Sequence, residues 1–155
     1  MGVGKSAVCT HLTHKILQNA VFLDGDWCWD AHPFTVTEET KAMVIDNICH
    51  LLGNFLRCSE YQIIVFCWVM HEQSIIDAIL SRLDTDEVHV VAVSLTCSEA
   101  ALRSRLQGDV DAGKRSADVI ERSVARIPCY EKLQTIHLDT THLTVTETAE
   151  RLSLL

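Results

Sequence analysis

Apolar positions along the chain alternate between two spacings. Val8, Leu12 and Ile16 recur at steps of four and predict a helix over 7–19, directly after Gly4-Lys5-Ser6. The run Ala20-Val21-Phe22-Leu23, closed by Asp24-Gly25-Asp26, predicts a buried strand ending in a polar turn. Thr35-x-x-Glu38 has the form of a capping box, and Met43, Val44, Ile48, Leu51, Leu52 and Phe55 follow at helical spacing. A β-branched and aromatic strand is expected over 62–69, a helix over 74–83 and a second buried strand over 88–95. Thr96-x-x-Glu99 reads as the cap of a helix carrying Ala101, Leu102 and Leu106, which runs into a Gly-bearing polar stretch over 108–116. Residues 117–127 then read as helical until Pro128 bends or ends the helix. A last strand over 135–139 and a helix capped by Thr144-x-x-Glu147 complete the pattern.

Strands built from continuous apolar runs and alternating with helices predict an α/β fold, a parallel sheet covered on both faces. At 155 residues one domain over 1–155 is expected, large enough to bury roughly two-thirds of its unfolded surface. The seven cysteines have an odd count and irregular spacing, with no C-x-x-C pair, so they read as reduced thiols, most of them buried, in a cytoplasmic protein. The longest wholly apolar run, 63–70, falls far short of the ~20 residues that span a bilayer, and no secretory pattern opens the chain. A net charge of −8 argues against nucleic acid or an anionic membrane as partner, since a broad phosphate-binding face needs excess Lys and Arg.

The charge is unevenly placed. Between 103 and 126 lie six of the 13 basic residues, Arg103, Arg105, Lys114, Arg115, Arg122 and Arg126, against four acids, so this segment is +2 while the rest is −10. A basic island in an acidic chain suits a phosphate-facing lid. Solvated helix charges are the competing explanation, first of all for Arg103 and Arg122.

Gly4-Lys5-Ser6 at a helix start matches the end of the phosphate-binding pattern G-x-x-x-x-G-K-[ST]. In that pattern backbone N–H groups wrap the phosphates, the Lys reaches the terminal ones and the Ser hydroxyl ligates magnesium. Six of its eight positions are present, and its first glycine would fall two residues before Met1. A strand normally precedes such a loop. The expectation is therefore either that the chain lacks its first ten or so residues, the favoured reading, or that its sheet has a gap at the centre.

On these residues the chain resembles the nucleoside-monophosphate-kinase-like superfamily of small P-loop kinases, which includes adenylate, shikimate and gluconate kinases, and especially the bacterial tunicamycin-resistance-type ATP-binding proteins. Two further stretches carry the resemblance. Phe22-Leu23-Asp24-Gly25-Asp26 is similar to the end of the second strand in shikimate and gluconate kinases, and Arg115, Asp118, Arg126 and Tyr130 keep an arginine spacing seen in adenylate kinases. The acceptor-binding arginines of adenylate kinases have no clear counterpart here.

The resemblance implies a three-layer α/β/α sandwich of the P-loop type with its N-terminal strand missing, and an ATP- and Mg2+-dependent transfer of phosphate to a small-molecule acceptor. It also implies roles. Gly2, Val3, Gly4, Lys5, Ser6 and Ala7 would hold ATP, Ser6 and Asp24 the metal, and Arg105 the adenine. Asp26 would accept the acceptor's proton, and Lys5, Arg115 and Arg126 would neutralise the moving phosphoryl group once the 108–116 lid closes. His71 and Glu72 could touch acceptor or metal, although a helix-start acid is the commoner reason for Glu72; Trp27, Trp29 and Trp68 receive no role. Two alternatives stay open, a non-catalytic ATP-binding resistance or sequestration protein and a truncated remnant of such a kinase. A signalling GTPase or motor ATPase is disfavoured, because no N-K-x-D motif occurs and no acid ends the run 63–69.

Overall fold

A computed structural model describes residues 2–155. Helix α1 spans Lys5–His11 and continues as a wider helical turn over Leu12–Ile16. Asn19, in a left-handed conformation at φ 50°, reverses the chain into strand β1, Ala20–Asp24. A tight helical turn, Gly25–Cys28, leaves the strand. Then come α2 (Glu38–Leu56), β2 (Ile63–Cys67), α3 (Gln73–Leu80), β3 (Val93–Thr96), α4 (Glu99–Asp111), α5 (Val119–Val124), α6 (Ile127–Tyr130), β4 (Ile136–Asp139) and α7 (Val145–Leu152).

The expected α/β architecture with parallel strands is present, with helices on both faces. Alternate residues of β2 serve opposite faces, as pleating requires. Ile64 and Phe66 pack with Val44, Ile48, Leu52 and Ile79 of α2 and α3, while Val65 packs with Val8, Leu12 and Ala149 of α1 and α7. A third cluster, Leu102, Leu106 and Val119, joins α4 to α5 and takes in Val3.

The strands do not form one continuous sheet among the described residues. β1 pairs with β2 and β3 with β4, each in parallel register, Ala20 opposite Ile63 and Val93 opposite Ile136. Between β2 and β3 lies a cavity of about 870 Å³ bordered by every residue of both strands.

Several element ends differ from expectation. The cap of α2 is Thr37, whose hydroxyl accepts from the Thr40 N–H at 3.2 Å, while Thr35 lends only its carbonyl to the Thr40 hydroxyl. Ser98, not Thr96, caps α4, because Thr96 is the last residue of β3 and its carbonyl accepts from both the N–H and the hydroxyl of Thr140. The expected strand over 88–95 shrinks to four residues. Val88, Val90 and Val91 precede the paired segment and stay exposed, since β propensity needs a neighbouring strand to act on. Helix α4 runs on through Gly108 to Asp111, which shortens the polar loop. Pro128 sits in the first turn of α6, where its missing N–H costs nothing, so it opens a helix rather than closing one.

Candidate phosphate-binding site

The loop Gly2–Gly4 owes its shape to two left-handed glycines, at φ 81° and 91°. A side chain at Gly2 would also strike Leu106 Cδ2 at 2.6 Å, whereas the space beside Gly4 is open. Val3 between them packs on the α4–α5 cluster and anchors the loop. Lys5 and Ser6 follow as the first residues of α1, whose free N–H groups and partial positive charge favour an anion at this end.

Asp24, the last residue of β1, is almost fully buried. Its Oδ2 accepts from Ser6 Oγ at 2.5 Å and its Oδ1 from the Asp26 N–H at 3.1 Å. The two residues expected to serve a metal therefore meet, and Asp26 stands next to them, exposed on the following turn. Gly25 makes that turn possible: an added Cβ would lie 2.4 Å from Trp68 Cγ, so Trp68 closes over the backbone just beyond β2. That gives Trp68 a structural position the sequence did not disclose. Trp29 stacks on Phe34 at 4.4 Å between ring centroids, and Trp27 is exposed with its edge against Phe22.

Beneath the loop, Cys9 of α1 and Cys67 of β2 are buried against each other. The hydrogen bond to Cys9, followed by burial, holds the Cys67 thiol far above its ordinary pKa. All seven cysteines are free, three of them buried and four half-buried.

The expected arginines lie apart from this cluster. Arg105 donates to Thr140, at 3.1 Å to Oγ1 and 2.6 Å to the carbonyl oxygen, and is fixed to the loop after β4. Arg115 donates to Asp109 at 3.2 Å. Arg126 forms no ion pair among the described residues, and its charge acts on His71. Burial first, then Arg126, lowers the pKa of His71, whose Nδ1 is buried without a partner among the described residues and whose Nε2 lies 3.5 Å from Glu72. Glu72 is the residue that starts α3, as a helix-start acid would be. Arg103 and Arg122 are bound in surface pairs, with Glu99 and Glu121 and with Asp118 respectively. The anchoring partner Thr140 had no motif to announce it.

A serine hydroxyl and a buried carboxylate in contact at the head of a helix are hard oxygen donors of the kind magnesium takes, and the open side of Gly4 leaves room for phosphate. The residues present fit both groups.

A glycine turn, Lys5 and Ser6 at a helix start, and a strand-end carboxylate beneath them define a P-loop, kinase-like class of nucleotide-binding protein. The chain belongs to the AAA domain family, whose model matches residues 1–127. Among solved structures it is similar to the tunicamycin resistance protein of Deinococcus radiodurans, at 19% identity and a TM-score of 0.71, over 99% of this chain and 88% of that one. It is likewise similar to a gluconokinase from Sinorhizobium meliloti 1021, at 17% identity and a TM-score of 0.64, over 99% of this chain and 91% of that one. At these identities the likeness is one of fold. No curated protein matches the chain significantly. No helix among the described residues is long and apolar enough to cross a membrane.

Proposed function

We propose that the chain, as a single domain in the cytoplasm, transfers the γ-phosphoryl group of ATP to a small acceptor bearing a hydroxyl or phosphate group. The observation that carries this reading is the contact of Ser6 Oγ with Asp24 Oδ2 under the Gly2–Gly4 turn. Lys5 and the backbone of Gly2, Val3, Gly4, Ser6 and Ala7 hold the phosphates. Ser6 and Asp24 would hold Mg2+, which would supply positive charge to neutralise the phosphate oxygens.

Asp26, exposed beside this cluster, takes the proton of the acceptor hydroxyl. The acceptor oxygen then bonds to the γ phosphorus as the bond to the β–γ bridging oxygen breaks and ADP leaves. Arg105, its donors committed to Thr140, keeps a flat guanidinium face for the adenine. Arg115 and Arg126 reach the polyphosphate when the 108–116 lid closes. For Arg115 that means exchanging Asp109, an exposed pair worth under ~1 kcal/mol, for a more highly charged partner. The acceptor lies near Asp26; neither nucleic acid nor a membrane takes part.

The similarity to a tunicamycin resistance protein supports a second reading, in which the chain holds ATP and an antibiotic without turnover. One assay separates the two: ADP release from Mg·ATP with gluconate, nucleoside monophosphates or tunicamycin as acceptor. The kinase reading predicts release with at least one acceptor and a loss of about 100-fold or more in Asp26→Asn. Unchanged transfer in that variant removes Asp26 from the chemistry, and binding without transfer to any acceptor supports sequestration.

A further inference from the structure

The turn that follows β1 carries more than the carboxylate beside the phosphate loop. Trp27 comes directly after Asp26 and is 64% exposed, far more open than tryptophan usually is. It is nevertheless held in place. Its ring meets Phe22 of β1 in a T-shaped contact, with centroids 5.0 Å apart and planes at 67°. The backbone on either side is tied down, at Asp26 by the bond from its N–H to Asp24 and at Cys28 by its carbonyl, which accepts from Asn47 Nδ2 of α2 at 3.1 Å. Trp29 packs against the core and stacks on Phe34, so the turn cannot swing Trp27 away without breaking both. A bare indole surface, positioned before any ligand arrives, therefore stands next to the carboxylate that serves as base in the phosphotransferase reading.

The charge of this stretch is one-sided. Residues 24–39 contain five acids, Asp24, Asp26, Asp30, Glu38 and Glu39, and no Lys or Arg. Asp24 is engaged by Ser6 and Glu38 by Lys41. Asp26 and Asp30 bracket Trp27 in the chain, both exposed, and neither has an ion-pair partner among the described residues. An anion such as gluconate or a nucleoside monophosphate would meet repulsion and find no cation in this stretch. A cation gains both from the carboxylates and from the negative face of the indole. The site is also open on its outer side, so a ligand lying on Trp27 keeps one face in water, which suits a ring rich in hydroxyls.

We infer that the small molecule bound beside Asp26 is a polyhydroxylated ring bearing an ammonium group, a ligand of the amino-sugar class. Its apolar C–H face lies on the Trp27 indole, its ammonium group turns toward Asp30, and one hydroxyl reaches Asp26. Asp26 and Trp27 are consecutive, their Cα atoms ~3.8 Å apart, so a single six-membered ring spans both. Trp27 selects the ring, and the acids select its charge. The inference rests on the phosphotransferase reading for the role of Asp26, but its test reads binding and not turnover, so the two fail separately.

The test titrates glucosamine, glucose and glucuronate, one ring with positive, neutral and negative charge, into the full chain and follows each by ligand-observed NMR. It is run below neutral pH, where the amine is charged, with and without Mg·ADP, which permits no transfer. The expected result is saturable binding in at least one nucleotide state, in the order glucosamine, glucose, glucuronate, the first and last differing about tenfold or more. Trp27→Ala is expected to weaken glucosamine about tenfold, while Trp27→Phe, which keeps an aromatic face, stays within about threefold. Asp30→Asn is expected to narrow the preference for glucosamine over glucuronate about threefold. Both positions are exposed, and unchanged melting of the variants is the control for folding. No saturable binding of glucosamine in either nucleotide state overturns the inference. So does glucuronate binding as tightly as glucosamine, or glucosamine affinity unchanged in Trp27→Ala. Binding in the expected order with no transfer once Mg·ATP replaces Mg·ADP upholds the ligand class and counts against the turnover reading alone.

Discussion

The strand-end turn at 24–26 and the basic segment at 103–126 were both marked by sequence as parts of one site, and they differ in how the fold uses them. At the turn, functional groups converge. Asp24 is buried, bonded to Ser6 and to the next backbone N–H, and Gly25 is fixed by Trp68. In the basic segment the cations disperse, with Arg103, Arg105, Arg115 and Arg122 each held by an acid or a carbonyl of their own neighbourhood. A motif specifies where atoms go because backbone geometry enforces it, whereas local charge density specifies only how many partners a segment must find.

Substitutions that break the convergent region should therefore cost most. Lys5→Ala is expected to weaken Mg·ATP binding about 100-fold, measured by calorimetry, since a charge-assisted contact to phosphate is lost with no neighbour to replace it. Gly25→Ala forces a Cβ into Trp68 and is expected to destabilise by about 1–3 kcal/mol in chemical denaturation. Gly108→Ala sharpens the contrast. That glycine lies inside α4 with nothing near its missing side chain, so the same change is expected to stabilise by about 0.5–1 kcal/mol. Opposite signs for two glycine-to-alanine changes would confirm that the turn is tightly determined and the basic segment loosely so.

A smaller effect is expected for His71. Burial and Arg126 depress its folded pKa, so its neutral form contributes stability that is complete above the unfolded value of about 6.5 and is lost as pH falls toward and through the folded value. His71→Gln should flatten the decline of melting temperature between about pH 7 and 5. An unchanged slope would show that other groups carry it.

The alternation of apolar runs and helical spacings was enough to recover the α/β class and the order of the strands, because each strand contains or adjoins an apolar run that must be buried. Thr144 and Glu147 form the reciprocal cap their spacing announces. Caps failed where a residue had a stronger engagement: Thr96 was already committed to the sheet, and Thr37 stood nearer the helix than Thr35. The strand expected over 88–95 pairs only from Val93 onward, because the residues before it have no strand beside them. Gly4-Lys5-Ser6 was legible from its pattern at a helix start, and Asp24 from the resemblance of residues 22–26 to a strand end in related kinases; their contact became visible in the structure. The anchoring of Arg105 by Thr140 and the lock of Trp68 on Gly25 were not, because each joins residues far apart in sequence through packing alone.

The central claim is that Ser6 and Asp24 form the floor of a magnesium-nucleotide site. Titration calorimetry of ATP into the full chain, with and without Mg2+, tests it most directly, run on the native chain and on Asp24→Asn. Saturable uptake that needs Mg2+ and falls about tenfold or more in Asp24→Asn is the predicted result. Absence of uptake in the native chain, or uptake indifferent to the metal and to Asp24, would contradict it.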